Sequence, residues 1–298
     1  MKIRTFVAVS LLAVTAPAFA QFGGLGDFVK KNLTADNLKK VADAVTPMSE
    51  SEEIDAGAGI SAMILGASPL VVNDELQRYV NRVGRWVSLQ SARTDLPWEF
   101  GVIDSPSVNA FAVPGGKIFV TLGLVRKLKS ESELAGVLAH EVAHVSLKHQ
   151  VKAIENAKLS ALGQSAVQAA ADAKLAQTNL GSTPIVGNLA SAAAGMGIEA
   201  MKNGLFLRPL DRSLEYDADR LGVVLAARAG YDSYGLIAAL QILATMTPDE
   251  AGGSISMSTH PTPNDRLAEL EKFTATLDKY ANQPQVGERF TKVMAGVK

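Results

Sequence analysis

Two histidines and a glutamate stand at a spacing that is typical of a metal-binding helix. The segment Leu134-Ala-Gly-Val-Leu-Ala-His140-Glu141-Val-Ala-His144 places the two histidines four residues apart, so on a helix they project from one face and can share a metal ion. Glu141 is rotated about 100° from His140 by the helical period. It can therefore flank the metal without binding it, where a carboxylate can take a proton from water that the metal activates.

Two other interpretations of this segment are open. The chain contains 4 histidines, and a chance match to His-Glu-x-x-His is expected in roughly a few chains per thousand. The pair could also be two core histidines, but imidazoles beside a carboxylate on one helix face are poorly satisfied in a core without a cation. The spacing and the helical context together favour a metal site.

A third metal ligand must come from elsewhere, because a catalytic zinc usually has three protein ligands and one open position. The best candidate lies in Arg212-Ser-Leu-Glu215-Tyr-Asp-Ala-Asp219. An apolar stripe predicts a helix there, from near Asp211 to Gly230, with Glu215 and Asp219 along one edge. Glu215 can complete the metal site, and Asp219 can accept the remaining ring N–H of a ligand histidine. Taken alone, these residues would indicate only a solvated acidic edge.

Hydrophobic periodicity predicts that helices carry most of the fold. Helices are expected at Ile54–Leu65, at Asp74–Leu89 after an Asn73 cap, and from Ser130 almost to the end of the chain. Ser130 and Glu133 form a capping box that begins the metal helix.

Between residues 98 and 121 the period changes to that of strands. Strands are expected at Trp98–Ile103, Val108–Val113 and Lys117–Thr121, and the last two flank a hairpin turn at Pro114-Gly-Gly116. The predicted fold class is therefore α+β, a mainly helical domain with one small antiparallel sheet next to the metal helix.

The N-terminus has the layout of a secretory signal peptide. Lys2 and Arg4 precede the apolar stretch Phe6–Val14, and Ala18-Phe-Ala20 is a small-x-small cleavage site. An uncut membrane anchor is the alternative. We divide the chain into a signal peptide (1–20), an N-terminal arm (21–50) and one domain that carries the metal site (51–298). Cleavage would give an exported protein, located in the periplasm if the source has two membranes.

Composition excludes several classes of protein. Cysteine is absent, which excludes disulfides, thiolate zinc sites, cysteine nucleophiles and cysteine-linked lipids. The 29 Lys and Arg against 30 Asp and Glu leave no basic excess for nucleic acid. Leu175–Ile198 is long and uncharged, but its many small and polar residues would insert poorly into a bilayer. We interpret it as a flexible or partly helical cover, and expect no stable membrane span after signal cleavage.

Four segments resemble the HtpX/BepA/LoiP-like family of gluzincin zinc metallopeptidases, which includes the CAAX prenyl protease. They are Asn109-Ala-Phe-Ala-Val-Pro-Gly-Gly116, His140-Glu141-x-x-His144, Arg212-x-x-Glu215-Tyr-x-Ala-Asp219 and Ser258-Thr-His260-Pro-x-x-x-x-Arg266. The resemblance implies a zincin-type metallopeptidase domain at 51–298. The chain lacks the multiple spans of HtpX and the lipid-bearing cysteine of LoiP, so we expect a soluble, exported member.

The resemblance also implies a role for each matched residue. One Zn²⁺ per chain would be held by His140, His144 and Glu215. Glu141 would be the general base, and Asp219 would contact a ligand histidine without binding the metal. His260 would stabilise the oxyanion or cap the zinc in a closed resting state. An extended substrate would pair with the strand at Asn109, Ala110, Phe111 and Ala112. On a continuous helix His149 lies half a turn from His140, and we expect it to be structural or exposed.

The implied function is that of a zinc-dependent endopeptidase in protein quality control. Its substrates would be unfolded or misfolded exported polypeptides, with outer-membrane proteins among the candidates. Two alternatives stay open. The first is a non-proteolytic periplasmic holdase on the same fold, and the second is a zinc-stabilised scaffold in which His260 fills the fourth metal position permanently.

Overall fold

The computed structural model describes residues 46–160, 211–246, 260–280 and 282–297. Its helices are α1 Glu50–Ala67, α2 Asp74–Ser88, α3 Leu122–Lys127, α4 Glu131–Ser146, α5 Arg212–Arg228, α6 Gly235–Ala244, α7 Pro263–Glu271, α8 Thr274–Leu277 and α9 Gly287–Met294, and residues 149–160 are also helical. The strands are β1 Glu99–Ile103, β2 Ala110–Val113 and β3 Lys117–Thr121, with 3-10 turns at Pro114–Gly116 and Asp278–Tyr280. This architecture confirms the α+β class.

The three strands form a mixed sheet in the order β1-β3-β2. β2 and β3 form the predicted antiparallel hairpin, with Ala110 opposite Val120. β1 runs parallel to β3, with Glu99 opposite Lys117, which differs from the all-antiparallel sheet that the sequence predicts. Alternation of side chains along a strand shows which face is buried, but it does not show which neighbour the strand pairs with.

Side chains cap the predicted helix starts. Asn73 Oδ1 accepts a hydrogen bond from the Leu76 N–H at 3.0 Å, and Ser130 Oγ accepts one from the Glu133 N–H at 3.1 Å. The Glu133 carboxylate accepts from the Lys129 N–H, not from Ser130. The capping box of α4 therefore closes one residue earlier than in the usual motif.

The metal helix α4 lies at the centre of the fold. Every residue from Glu131 to Val145 is buried, and the helix packs against α2, α5, α6 and the sheet. A helix that is buried on all sides needs apolar residues on most of its faces. Leu134, Leu138 and Val142 are fully buried and supply this apolar surface beside the polar site residues. The site residues are therefore held by a rigid element, not by a loop.

The first turn of α4 is anchored by the buried carboxylate of Glu131. The hydroxyls of Tyr79 and Tyr231 donate hydrogen bonds to it at 2.7 and 2.8 Å, and the guanidinium of Arg289 forms an ion pair with it. These contacts connect α2, α9 and the turn after α5 to the start of the metal helix, so the position of α4 is set at its N-terminus.

The packing of α5 on α4 depends on Gly222. A Cβ at this position would lie 3.0 Å from both the Cα and the backbone nitrogen of His140. A larger residue would push the His140 backbone away by a few tenths of an ångström, so glycine favours this close approach of the two helices. The same approach lets the side chain of Glu215, two turns earlier on α5, reach the histidines of α4.

Some predictions fall outside the described residues. The signal peptide, nearly all of the N-terminal arm and Leu175–Ile198 lie there, so these predictions and the domain boundaries stay untested. Across the parts of the chain that are described, no helix has both the length and the apolar character that crossing a bilayer requires.

Substituting Gly222 by alanine tests the close approach of the two helices. Because the added Cβ would press on the His140 backbone, we expect Gly222→Ala to lower the free energy of unfolding by about 1–3 kcal/mol. The matched control is Gly59→Ala in the interior of α1, where a Cβ meets nothing within 4 Å and should stabilise by about 0.5–1 kcal/mol. Urea unfolding of both variants measures the difference, and equal effects would contradict the packing argument.

Candidate metal centre

Four side chains from separate parts of the chain converge at one buried point. His140, His144, Glu215 and His260 each offer a nitrogen or oxygen atom, and these atoms all lie within 4.8 Å of one another. The Nε2 atoms of His140 and His144 are 3.0 Å apart, and each lies 3.6 Å from an oxygen of Glu215. In a tetrahedral zinc site two ligand atoms are separated by about 3.4 Å, so this spacing suits a zinc ion.

His140 is oriented by the carboxylate of Asp219. The Nδ1 of His140 lies 2.9 Å from Asp219 Oδ1, and Arg266 binds the same carboxylate through Nε and Nη2 at 2.9 and 2.5 Å. Arg266 Nη2 also lies 3.1 and 3.4 Å from the two ring nitrogens of His140. An atom near both nitrogens must lie over the ring and not in its plane. The Nδ1–H of His140 is therefore free to donate to Asp219, which directs Nε2 at the centre of the cluster.

His144 has its own partner behind it. Its Nδ1 lies 2.9 Å from the Nδ1 of His149, which is only 2% exposed. The expectation that His149 points away from the site assumes a continuous helix, but α4 ends at Ser146. Lys148 then adopts a left-handed backbone conformation with φ 58°, and this turn brings His149 back against His144.

The electrostatics of the cluster favour positive charge at its centre. Burial raises the pKa of Glu215, but the nearby imidazoles of His140 and His260 lower it well below its usual value. Burial and the Arg266 charge lower the pKa of His140, but the carboxylates of Asp219 and Glu215 outweigh them and raise it to about 9. Burial, followed by the charge on His140, lowers the pKa of His144. The two buried carboxylates thus draw a cation into the site.

The chemical types and directions of the donor atoms fit a metal ion. His140 and His144 direct Nε2 at the cluster, and the Oε1 of Glu215 is a buried oxygen with no hydrogen-bond partner. His260 Nδ1 lies 2.5 Å from the other oxygen of Glu215. Two imidazoles and one carboxylate are ligands that Zn²⁺ prefers. The residues that the sequence predicts as ligands are therefore brought together, with His260 beside them.

Glu141 lies next to the cluster in a pocket. Burial raises the pKa of its carboxyl group, and so does the charge of Glu215. The pocket is lined by Val108, Asn109 and Ala110, by His140, His260 and Arg266, and by the apolar side chains of Leu124, Val137, Leu236, Ala239, Leu240 and Leu243. A buried carboxylate with a raised pKa at the wall of such a pocket is suited to accepting a proton.

The predicted substrate strand only partly reaches this pocket. Asn109 and Ala110 line it, and the side-chain Oδ1 of Asn109 is buried without a hydrogen-bond partner. Phe111 packs against Phe119 with ring centroids 5.7 Å apart. Neither Phe111 nor Ala112 belongs to the pocket lining, although both lie on the same strand.

Sequence reasoning missed two residues at this site. Arg266 belongs to a segment that the family resemblance covers, but no role followed for it, although Thr262 and Pro263 are a helix start signal. That signal would have placed Arg266 on the first turn of α7. For His149 the signal is weaker, because a left-handed lysine is not readable from sequence.

The fold and the donor set together define the class of zincin-type metallopeptidases. The sequence model of the family described as "Peptidase family M48" matches residues 72–274 of this chain. The chain therefore belongs to peptidase family M48, which confirms the HtpX/BepA/LoiP-like resemblance.

Several relatives have informative names. The beta-barrel assembly-enhancing protease of Escherichia coli (strain K12) is 27% identical over 269 residues, which cover 90% of this chain and 50% of that protein. The mitochondrial metalloendopeptidase OMA1 of Schizosaccharomyces pombe is 33% identical over 198 residues, covering 65% of this chain and 52% of that protein. The corresponding protein of Bos taurus is 34% identical over 141 residues, covering 47% and 25%. This chain spans about half the length of the first two of these relatives, and about a quarter of the third.

Removing the guanidinium of Arg266 tests the buried contacts among Arg266, Asp219 and His140. Arg266→Met leaves the Asp219 carboxylate buried without its counterion, and we expect it to lower the free energy of unfolding by about 3–5 kcal/mol. The matched control is Arg220→Met, which removes an ion pair with Asp217 on the surface of α5 and should change stability by less than about 1 kcal/mol. Urea unfolding measures both variants, and a small loss for Arg266→Met would show that Asp219 does not depend on this cation.

Proposed function

We propose that the protein is a zinc-dependent endopeptidase. The observation that carries this proposal is the convergence of His140, His144 and Glu215 at one buried point, with His140 and the carboxylate of Glu141 both in the wall of one pocket. A metal site that is purely structural has no need of a further carboxylate beside it. Membership of peptidase family M48 supports the same conclusion.

In this proposal His140, His144 and Glu215 would hold one Zn²⁺ per chain. When bound, zinc supplies a Lewis acid that polarises the scissile carbonyl group and makes water more acidic. Asp219 keeps the His140 ring in the orientation that binding requires, through the 2.9 Å contact with Nδ1. Arg266 in turn holds the carboxylate of Asp219 in place.

Glu141 is proposed as the general base. Its place on α4, one residue after His140, keeps the carboxylate beside the donor cluster but outside it. Because burial raises its pKa, the group can accept a proton from the attacking water and then release it to the leaving amine. These two transfers are what the hydrolysis of an amide requires from the protein.

The free edge of β2 is proposed to bind the substrate backbone. Within the described residues no strand pairs with this edge, since β2 is at the end of the order β1-β3-β2. Thr121 N–H donates to the Asn109 carbonyl, so by the antiparallel alternation the backbone groups of Ala110 and Ala112 point away from β3. An extended peptide could pair with them as an added strand, and the unpartnered Oδ1 of Asn109 could accept from a peptide N–H.

The pocket wall indicates which side chains a substrate would present. Leu124, Val137, Leu236 and Leu240 form an apolar surface next to Glu141. An apolar substrate side chain beside the scissile bond would be favoured there. Folded proteins bury such side chains, so unfolded or misfolded polypeptides fit this site best.

The biological role is proposed from the relatives. The bacterial relatives carry the name beta-barrel assembly-enhancing protease, which connects that protein to β-barrel assembly. With the predicted signal peptide, this supports quality control of exported envelope proteins in the periplasm, with misfolded outer-membrane proteins among the substrates. A periplasmic holdase is the second candidate, since the open edge of β2 could bind unfolded chains without cleaving them.

Replacing the base tests the mechanism. We expect Glu141→Gln to lower casein cleavage by the zinc-loaded protein at least about 100-fold, because the amide cannot accept the proton. Zinc content should not change. The matched control is Glu133→Gln on the same helix, whose side-chain oxygen can still accept from the Lys129 N–H and which should keep its activity.

The rates are compared with and without a zinc chelator. Full activity of Glu141→Gln would contradict the proposed base. If zinc-loaded wild type cleaves nothing but suppresses the aggregation of unfolded proteins, the holdase is correct.

His260 is proposed to close the fourth metal position in the resting protein. One of its ring nitrogens lies within the donor cluster, and the ring is held against Glu215, so it would occupy the position that catalysis needs open. We expect His260→Ala to raise casein cleavage severalfold and to speed the exchange of zinc. A fall in activity with zinc retained would instead make His260 an oxyanion stabiliser.

The double variant His260→Ala with Glu141→Gln serves as the control. It should be inactive, since opening the site does not replace the base.

A further inference from the structure

His149 lies behind His144, on the side away from the donor cluster. The Nδ1 atoms of the two rings are 2.9 Å apart, and the rings meet edge to face with centroids 5.0 Å apart. Both side chains are nearly inaccessible to solvent, at 1% and 2% exposure. Two buried ring nitrogens at hydrogen-bond distance must include one donor and one acceptor.

The direction of this hydrogen bond follows from the other side of His144. The Nε2 of His144 faces His140 and Glu215, and a nitrogen that binds a metal has no proton. A neutral imidazole then carries its proton on Nδ1. His144 therefore donates through Nδ1–H, and His149 must accept through Nδ1.

The chain is bent specifically at this point. α4 ends at Ser146, and Lys148, with φ 58°, lies in the left-handed region that costs a non-glycine residue about 1–2 kcal/mol. Lys148 also accepts a hydrogen bond from the Lys152 N–H, which begins the helical segment at 149–160. A strained turn that is tied to the start of the next helix holds His149 in place.

We propose that His149 is a positioning residue that fixes His144 as an Nε2 ligand by accepting its Nδ1–H. His149 is not one of the donor residues, and it contacts His144 on the side away from the other donors. It acts for His144 as Asp219 acts for His140, but with a neutral acceptor in place of a charged one. This inference rests on the zinc site proposed above.

Two substitutions separate the acceptor from the shape of the side chain. In His149→Asn the amide Oδ1 takes the place of Nδ1 and can accept the same hydrogen bond. In His149→Leu a methyl group takes that place and cannot. We expect the zinc dissociation constant to rise about 10–100-fold in His149→Leu, and to stay within about threefold of wild type in His149→Asn.

The dissociation constants are measured by competition with a fluorescent zinc chelator. Thermal unfolding of the metal-free proteins provides the folding control, and the two variants should retain a cooperative transition. Equal zinc affinity in wild type and His149→Leu would overturn the proposal, as would an equal loss in the leucine and asparagine variants.

A second measurement does not depend on any variant folding. Long-range proton–nitrogen spectra of the zinc-loaded wild type report which ring nitrogen carries the proton in each histidine. We expect Nδ1–H in His144 and Nε2–H in His149. A proton on Nδ1 of His149 would overturn the proposal.

The two proposals fail in different ways. If wild type binds no zinc at all, the metal site and with it the role of His149 are wrong. If wild type binds zinc and His149→Leu binds it equally well, only the role of His149 is wrong.

Discussion

Two imidazoles and a carboxylate share one buried point, with their lone pairs directed inward, and the rest of the structure depends on this constraint. Such a set is unstable in a core unless a cation lies among the groups. The protein meets this demand with a rigid frame, because α4 is enclosed on all sides and α5 approaches it closely at Gly222. The free energy of burying the polar site is offset by the apolar packing around it.

Much of the site could be predicted from sequence because its signals are local. The spacing of His140 and His144 needs only the helical period, and Ser130 marks the helix start through a cap that the structure contains. Glu215 required a second helix, whose apolar stripe and start near Asp211 were readable. Short-range patterns of this kind do not depend on how the elements pack.

What could not be predicted depends on long-range contacts or on unusual backbone. The parallel pairing of β1 with β3 follows from where the hairpin lies in the sheet, and alternation along the strands carries no information about that. Arg266 meets Asp219 across 47 positions of sequence. His149 reaches His144 only because the helix ends and Lys148 turns left-handed, and helical periodicity then no longer applies.

The proposed zinc donors are distributed over three widely separated segments, around residues 140–144, 215 and 260. An unfolded chain offers at most the two nearby histidines of this set, so zinc at the proposed site would bind the folded form far more tightly. By mass action each tenfold rise in free zinc above the dissociation constant adds about 1.4 kcal/mol to the stability of the fold. The lifetime of this peptidase against other proteases would thus follow the supply of zinc, and metal starvation would remove the protein as well as its activity.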